Sequence, residues 1–168
     1  MNKLSLIDCG PYIEGLVKVE LGIYSDARGI NMEGFNPESY PSNWTFKVDS
    51  FSMSTKGVLR GLHGDPENNK LVQCLYGKIF FVVIDIRQNS PTFGKIYFSD
   101  VSAENGWQFF VPKGCVNAHQ CISDRCVFSY KLSNGYVEQD KQILVKWNDP
   151  KFSIPWPISN PTLSERDK

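Results

Sequence analysis

An arginine, a histidine, an aspartate and a lysine fall within eleven residues: Arg60, His63, Asp65 and Lys70. An imidazole can remove a proton, a carboxylate can orient it, and an ammonium can steady the negative charge that develops. Together these are the parts of acid–base chemistry next to a carbonyl. His63 is one of only 2 histidines in the chain. The groups lie in the stretch Val58–Tyr76, VLRGLHGDPENNKLVQCLY, with Gly57, Gly61 and Gly64 punctuating its start. To bring them together, a strand must carry Arg60 and His63, a polar loop must follow, and a second strand must begin at Lys70. Side chains alternate along a strand, which puts Arg60 with Leu62 on one face and His63 with Gly61 on the other. A bulge at Gly61 or Gly64 re-aims the pair. The plainer alternative is a hairpin with charged residues in its loop.

The rest of the chain reads as short strands between turns. Leu4–Ile7 and Leu16–Ile23, interrupted by Pro11 and Gly15, read as edge strands. Asp26–Gly29 is a turn signal, and there Arg28 is a cation beside a glycine, which permits close ligand approach. Residues 36–45 form a loop, and FKVDSFSMS then alternates with Phe46, Val48, Ser50 and Ser52 on one face. Gly77–Lys78 reads as a tight turn between strands, and Lys78–Arg87, KIFFVVIDIR, is the best core strand. Lys95–Val101, Trp107–Val111 and Val127–Leu132 follow as strands, the last with Phe128, Tyr130 and Leu132 sharing a face. Pro155, Pro157 and Pro161 forbid a continuous helix in the tail, leaving room for one helical turn after Pro161. No amphipathic helix of helical period stands out, so the expected fold is all-β, a jelly roll in a single domain over residues 1–168.

Composition narrows the function. The chain has 168 residues, enough for one sizeable core. Its 18 basic and 18 acidic residues balance, with no long run of either sign. That leaves no footprint for nucleic acid and no membrane-surface patch. An anionic ligand would be held by a few placed cations. No apolar run approaches the roughly 18 residues of a membrane span, and the first residues lack the apolar core of a signal peptide. The 5 cysteines (Cys9, Cys74, Cys115, Cys121, Cys126) include no CxxC pair. They read as small buried hydrophobes of a reduced, cytoplasmic protein.

Two histidines on a jelly roll raise a metal site. A two-histidine, one-carboxylate centre would need His63, His119 and an acid to converge, which the spacing does not support. Cysteine spacing for zinc is absent, as is the elbow motif of a serine nucleophile. Acid–base chemistry remains, with a tyrosine as a possible acid on the far side of the substrate.

Taken in order, the motifs SDARG, KGVLRGLH, KLVQCLYGKIF, VIDIRQNSPTFGK, SAEN, VPKG, YK, KWNDP, IPWP and LSERD resemble those of the dTDP-4-dehydrorhamnose 3,5-epimerase family. The resemblance spans nearly the whole chain. It implies a jelly-roll fold, a cytoplasmic homodimer, no metal and no cofactor. It also implies a nucleotide-diphosphate 4-keto-sugar substrate, inverted at C3 and C5. By the same resemblance His63 is the base, Asp167 its orienting partner, Tyr130 the opposite-face acid, Lys70 the stabiliser of the enolate, and Arg28 and Arg60 the diphosphate ligands. Glu33, Ser50, Asp65 and His119 are further candidates for substrate contact.

Three departures bear on the substrate. Asn117 stands at a position the family usually gives to histidine, where it takes a candidate catalytic place, with His119 two residues on. Asn117 can hydrogen-bond but cannot carry a proton at neutral pH. HGD replaces the more usual HxQ. Val48 and Ser50 replace polar residues that read thymine. These changes resemble a branch acting on GDP-linked 4-keto-6-deoxy-heptoses in capsule synthesis, and lead to the expectation of GDP rather than dTDP. The alternatives are a dTDP-4-keto-6-deoxy-hexose 3,5-epimerase, a sugar-nucleotide 3,4-ketoisomerase and a non-catalytic sugar-nucleotide-binding jelly roll.

Overall fold

The computed structural model describes residues 4–168. Thirteen strands run in chain order: β1 Ser5–Asp8, β2 Val17–Glu20, β3 Ile23–Asp26, β4 Gly29–Met32, β5 Val48–Thr55, β6 Leu59–Gly64, β7 Lys70–Tyr76, β8 Lys78–Asp85, β9 Ile96–Ser102, β10 Trp107–Val111, β11 Cys115–Cys121, β12 Arg125–Leu132 and β13 Ile143–Leu144. Two single 3₁₀ turns, Gln139–Lys141 and Glu165–Asp167, are the only helical elements among the described residues. A six-stranded sheet in the order β1-β2-β10-β7-β12-β5 faces a five-stranded sheet in the order β13-β6-β11-β8-β9. Strands β3 and β4 make a separate hairpin around the Asp26–Gly29 turn. Neighbouring strands within the sheets are antiparallel, as a jelly roll requires.

Strand β8 explains much of the packing. Its residues KIFFVVID are buried on both faces after Lys78, hence the unbroken apolar run. Ile79, Phe81 and Val83 enter the core between the sheets, with Val72, Phe109 and Phe128 of the other sheet. Phe80, Val82 and Ile84 point the opposite way, with Leu62, Val116 and Ala118, and meet Phe152, Ile154 and Trp156 of the proline-rich tail. The tail therefore seals the outer face of the five-stranded sheet. A third cluster lies on the outside of the six-stranded sheet, where Tyr40 and Trp44 of the loop after β4 cover Val19 and Leu71. All five cysteines are buried free thiols.

The turn expected at Gly77 does fall between two strands, β7 and β8, but these belong to different sheets, so the chain crosses the sandwich there. The same holds for residues 65–69, which carry the chain from β6 to β7. The alternative of a charged-loop hairpin therefore fails. Strand β2 is not an edge, because β1 and β10 flank it and its Val19 is fully buried. Local turn chemistry marks where the chain reverses, but which sheet receives the next strand is a tertiary matter.

Candidate active site

The site begins with a bulge in β6. His63 lies opposite Asn117 and Arg60 opposite His119, so Gly61 and Leu62 together face the single residue Ala118. The extra residue shifts the alternation. Leu62 goes outward into the cluster with Val116 and Ala118, while Arg60 and His63 sit opposite residues of the inner face of β11. Gly61 makes this possible with φ +120°, and a Cβ there would stand 2.6 Å from both the Asn117 carbonyl oxygen and the Ala118 Cβ. No other residue type fits so close to the neighbouring backbone.

The His63 imidazole meets the end of the chain. Its Nε2 lies 2.6 Å from Oδ1 of Asp167, whose side chain is 4% exposed against 28% for His63. The tail reaches this point by running alongside the start of β6: Leu59 N–H donates to the Thr162 carbonyl, and Thr162 N–H to that of Gly57. The 3₁₀ turn Glu165–Asp167 then places the carboxylate, whose Oδ2 accepts from the Ser164 hydroxyl at 2.8 Å. Arg166 is tied to Gln142. Burial lowers the His63 pKa from its ordinary value; Asp167 opposes that shift, and the Arg166 and Lys70 charges add to it.

Lys70, first residue of β7, sends its ammonium across the gap between the sheets. Nζ donates to the His63 carbonyl at 3.1 Å and to Asn117 Oδ1 at 3.0 Å. Burial pulls its pKa down to about 8, against the opposing charge of Asp65. Tyr130 projects from β12, in the sheet opposite His63. It packs at the border of the core, with its ring centroid 6.2 Å from that of Phe128, and its register partner on β5 is Ser50. Arg60 also crosses the gap: Nε donates to Ser54 Oγ at 3.0 Å and a terminal nitrogen to the Met53 carbonyl. His119 is 3% exposed, and burial lowers its pKa to about 3, with Arg60 and His63 adding to the effect. It is a neutral imidazole at ordinary pH.

Other candidates lie elsewhere. The Asp65 carboxylate is buried and accepts from the backbone N–H groups of Glu67 and Asn68 and the Asn68 side chain, so its bonds close the loop between β6 and β7. Arg28 stands on the β3–β4 hairpin with 90% of its side chain exposed, and it bonds only Asp26 of its own turn. Glu33 is exposed after β4, near Tyr40 on the outside of the six-stranded sheet. Within one chain, no bond joins Arg28 or Glu33 to the group around His63. Ser54, which anchors Arg60, was not singled out from the sequence; the alternation that aligned Ser50 with Ser52 extends to it. Among the described residues no three His, Cys, Asp or Glu side chains group as metal ligands.

An imidazole–carboxylate pair, an ammonium and a phenol, set between the two sheets of an antiparallel jelly roll, define an acid–base site of the kind that moves protons at carbon beside a ketone. Comparison with known proteins agrees. The family model for dTDP-4-dehydrorhamnose 3,5-epimerase matches residues 11–168. A dTDP-4-dehydrorhamnose 3,5-epimerase of Shigella flexneri is 42% identical over 153 residues, 86% of this chain and 83% of that protein. One of Methanothermobacter thermautotrophicus is 38% identical, over 93% of this chain and 88% of its own. The crystal structure of a dTDP-6-deoxy-D-glucose-3,5-epimerase of Legionella pneumophila, in complex with dTDP-4-keto-L-rhamnose, superposes with a TM-score of 0.89 at 36% identity, covering 98% of this chain and 89% of that one. The chain belongs to the dTDP-4-dehydrorhamnose 3,5-epimerase family, a family of isomerases.

Proposed function

We propose that the protein epimerises a nucleotide-linked 4-keto-6-deoxy sugar at C3, C5 or both, through an enolate. The observation that carries this reading is the 2.6 Å His63–Asp167 pair, set across the sandwich from Tyr130 with the Lys70 ammonium close by. The C4 ketone acidifies the neighbouring C–H bonds. Neutral His63 takes the proton, and Asp167 holds the imidazole and stabilises its charged form. The electron pair moves onto the C4 oxygen, where Lys70 meets the negative charge, an interaction worth about 2.7–4 kcal/mol when such a donor is well placed. Tyr130 returns a proton from the opposite face, and the centre inverts. Arg60 pairs with the diphosphate, bidentate geometry being the guanidinium's strength.

The nucleotide reading changes with the comparisons. The relatives at 42% and 38% identity are dTDP-sugar enzymes, which favours a dTDP-4-keto-6-deoxy-hexose as substrate. Nothing in the comparisons supports the GDP-heptose branch. One observation keeps GDP in the test: Val48 and Ser50 present little to a thymine from β5, where their side chains are half-buried. Incubation in D₂O with dTDP- and GDP-linked 4-keto sugars, followed by NMR at C3 and C5, decides both points. Exchange with inversion is expected. No exchange on either substrate would refute the epimerase reading, and exchange on the GDP-sugar alone would refute the dTDP assignment. We place the enzyme in the cytoplasm, as its free thiols suit, and take it to act as a homodimer.

A further inference from the structure

Residues 133–142 join β12 to β13 over the surface, and none of their side chains is buried, so hydrogen bonds rather than packing hold the segment. At its start it is tied to the loop that ends at Lys70. Asn69 N–H donates to Ser133 Oγ, Asn134 N–H to Asn68 Oδ1, and the Asn68 amide to the Gly135 carbonyl. At its end a single side chain makes two bonds. Gln142 Nε2 donates to the Val137 carbonyl at 2.6 Å, and Gln142 Oε1 accepts from the Arg166 guanidinium at 2.9 Å. A guanidinium only donates and a backbone carbonyl only accepts, so the amide has one possible orientation. Arg166 is the middle residue of the 3₁₀ turn Glu165–Asp167 and directly precedes the carboxylate that bonds His63. Directly after Gln142, Ile143 and Leu144 pair with Gly64 and His63 themselves. One amide therefore sits between the strand that flanks the imidazole and the turn that carries its carboxylate.

We propose that Gln142 is a positioning residue: through Arg166 it fixes the 3₁₀ turn and so holds the Asp167 carboxylate on His63. This rests on the epimerase reading above, in which that pair removes the proton. The turn needs such a hold. One backbone bond closes it, Asp167 N–H to the Ser164 carbonyl at 3.0 Å, and no side chain caps its N–H groups. A single helical turn is not stable by itself. A base displaced by about 1 Å loses on the order of a hundredfold in rate. The residue type at 142 matters as well. An amide holds the guanidinium without cancelling its charge, and that charge, with burial, favours the neutral imidazole. A glutamate in its place would hold Arg166 too, but would offset that charge.

The test uses Gln142→Ala and Gln142→Glu in the full-length protein. Deuterium exchange, inversion and steady-state rates are followed across pH, on whichever of the dTDP- and GDP-linked 4-keto sugars the unaltered protein turns over. Gln142→Ala should lower kcat by about tenfold to a hundredfold with little change in KM. Exchange and inversion should fall together, because the base is what is displaced. Thermal unfolding should change little, the side chain being partly exposed. Gln142→Glu keeps an acceptor for Arg166 and gives up the donor to Val137. It should regain most of the lost kcat, and the acid limb of kcat/KM should move to higher pH as the new carboxylate favours the charged imidazole. Inversion lost with exchange intact would overturn the proposal, since the defect would then lie at Tyr130, whose strand leads into the segment. Gln142→Glu as slow as Gln142→Ala, with an unmoved acid limb, would overturn it too. If Gln142→Ala loses stability as well as rate, that comparison decides. Absence of exchange on both sugars by the unaltered protein would remove the epimerase reading, and this inference with it. An unaltered kcat in Gln142→Ala would remove this inference alone.

Discussion

His63 acts as a base only while its imidazole is neutral, and burial together with the Arg166 and Lys70 charges keeps its pKa below the ordinary 6.5. The Lys70 ammonium must keep its proton to meet an enolate, and its pKa lies near 8. The signs give a bell. As pH rises, kcat/KM should climb through an acid limb placed below 6.5 and then fall as Lys70 deprotonates around 8. In Lys70→Arg the charge cannot be lost, so the alkaline limb should vanish even if the rate drops. A limb unmoved in that variant would assign it to another group. The two proton-transfer roles separate by a different measurement. His63→Asn should lower both deuterium exchange and inversion by roughly 10²–10⁴-fold. Tyr130→Phe leaves the base, Asp167 and Lys70 in place, so it should take up deuterium at C3 or C5 while keeping configuration. Wild-type inversion by Tyr130→Phe would show that another group returns the proton.

At the scale of the element, β6 is the part on which the site depends. Its bulge turns Arg60 and His63 to the same side, and Gly61 is what the bulge requires. In Gly61→Ala the new Cβ would meet the Asn117 carbonyl and Ala118 at 2.6 Å on a backbone of φ +120°. Strain of this kind costs about 1–3 kcal/mol, and the contact must be relieved by moving β6 against β11. The midpoint of chemical denaturation should fall, and kcat should fall further than stability alone explains. Gly94→Ala is the control: its φ is +80° but nothing lies within 4 Å of the added carbon, so it should lose some stability with little change in kcat. Equal loss of kcat in the two variants would separate the bulge from catalysis.

The whole molecule shows an apolar surface that a lone chain leaves in water. On the outer face of the six-stranded sheet, Phe51 is 70% exposed, Met53 65% and Tyr76 62%, and Val127 pairs with both Met53 and Tyr76 in register. A contiguous patch of this kind marks an interaction surface. The proposed homodimer would cover it. Light scattering should then give twice the mass of one chain, and Phe51→Asp with Met53→Asp should halve it. A monomer in the unaltered protein would end that reading, as would a dimer indifferent to both charges.

Much of this was legible in the order of residues. Alternation in VDSFSMS and VFSYKL set the inner faces of β5 and β12, because a strand's side chains have a period of two whatever surrounds them; Phe46, expected on the same face, lies ahead of β5 and packs with the cluster outside the six-stranded sheet. The double-sided burial of β8 was visible as an unbroken apolar run. The roles proposed for His63, Asp167, Lys70 and Tyr130 came from the family resemblance, since each motif names its residue by position. The sequence also offered a bulge at Gly61, but could not choose between it and regular alternation. The neighbouring strand decided, by bringing Ala118 and the Asn117 carbonyl against that glycine. Nor could the residue types alone say that the loop carrying Asp65 and the turn at Gly77 cross between sheets, or that Asp65 closes a loop while Asp167, a hundred and four residues from His63, bonds its imidazole. Turn residues encode only local backbone angles; which strand a returning segment pairs with is set by the burial of whole faces, and that exists only once the sheets have closed on each other.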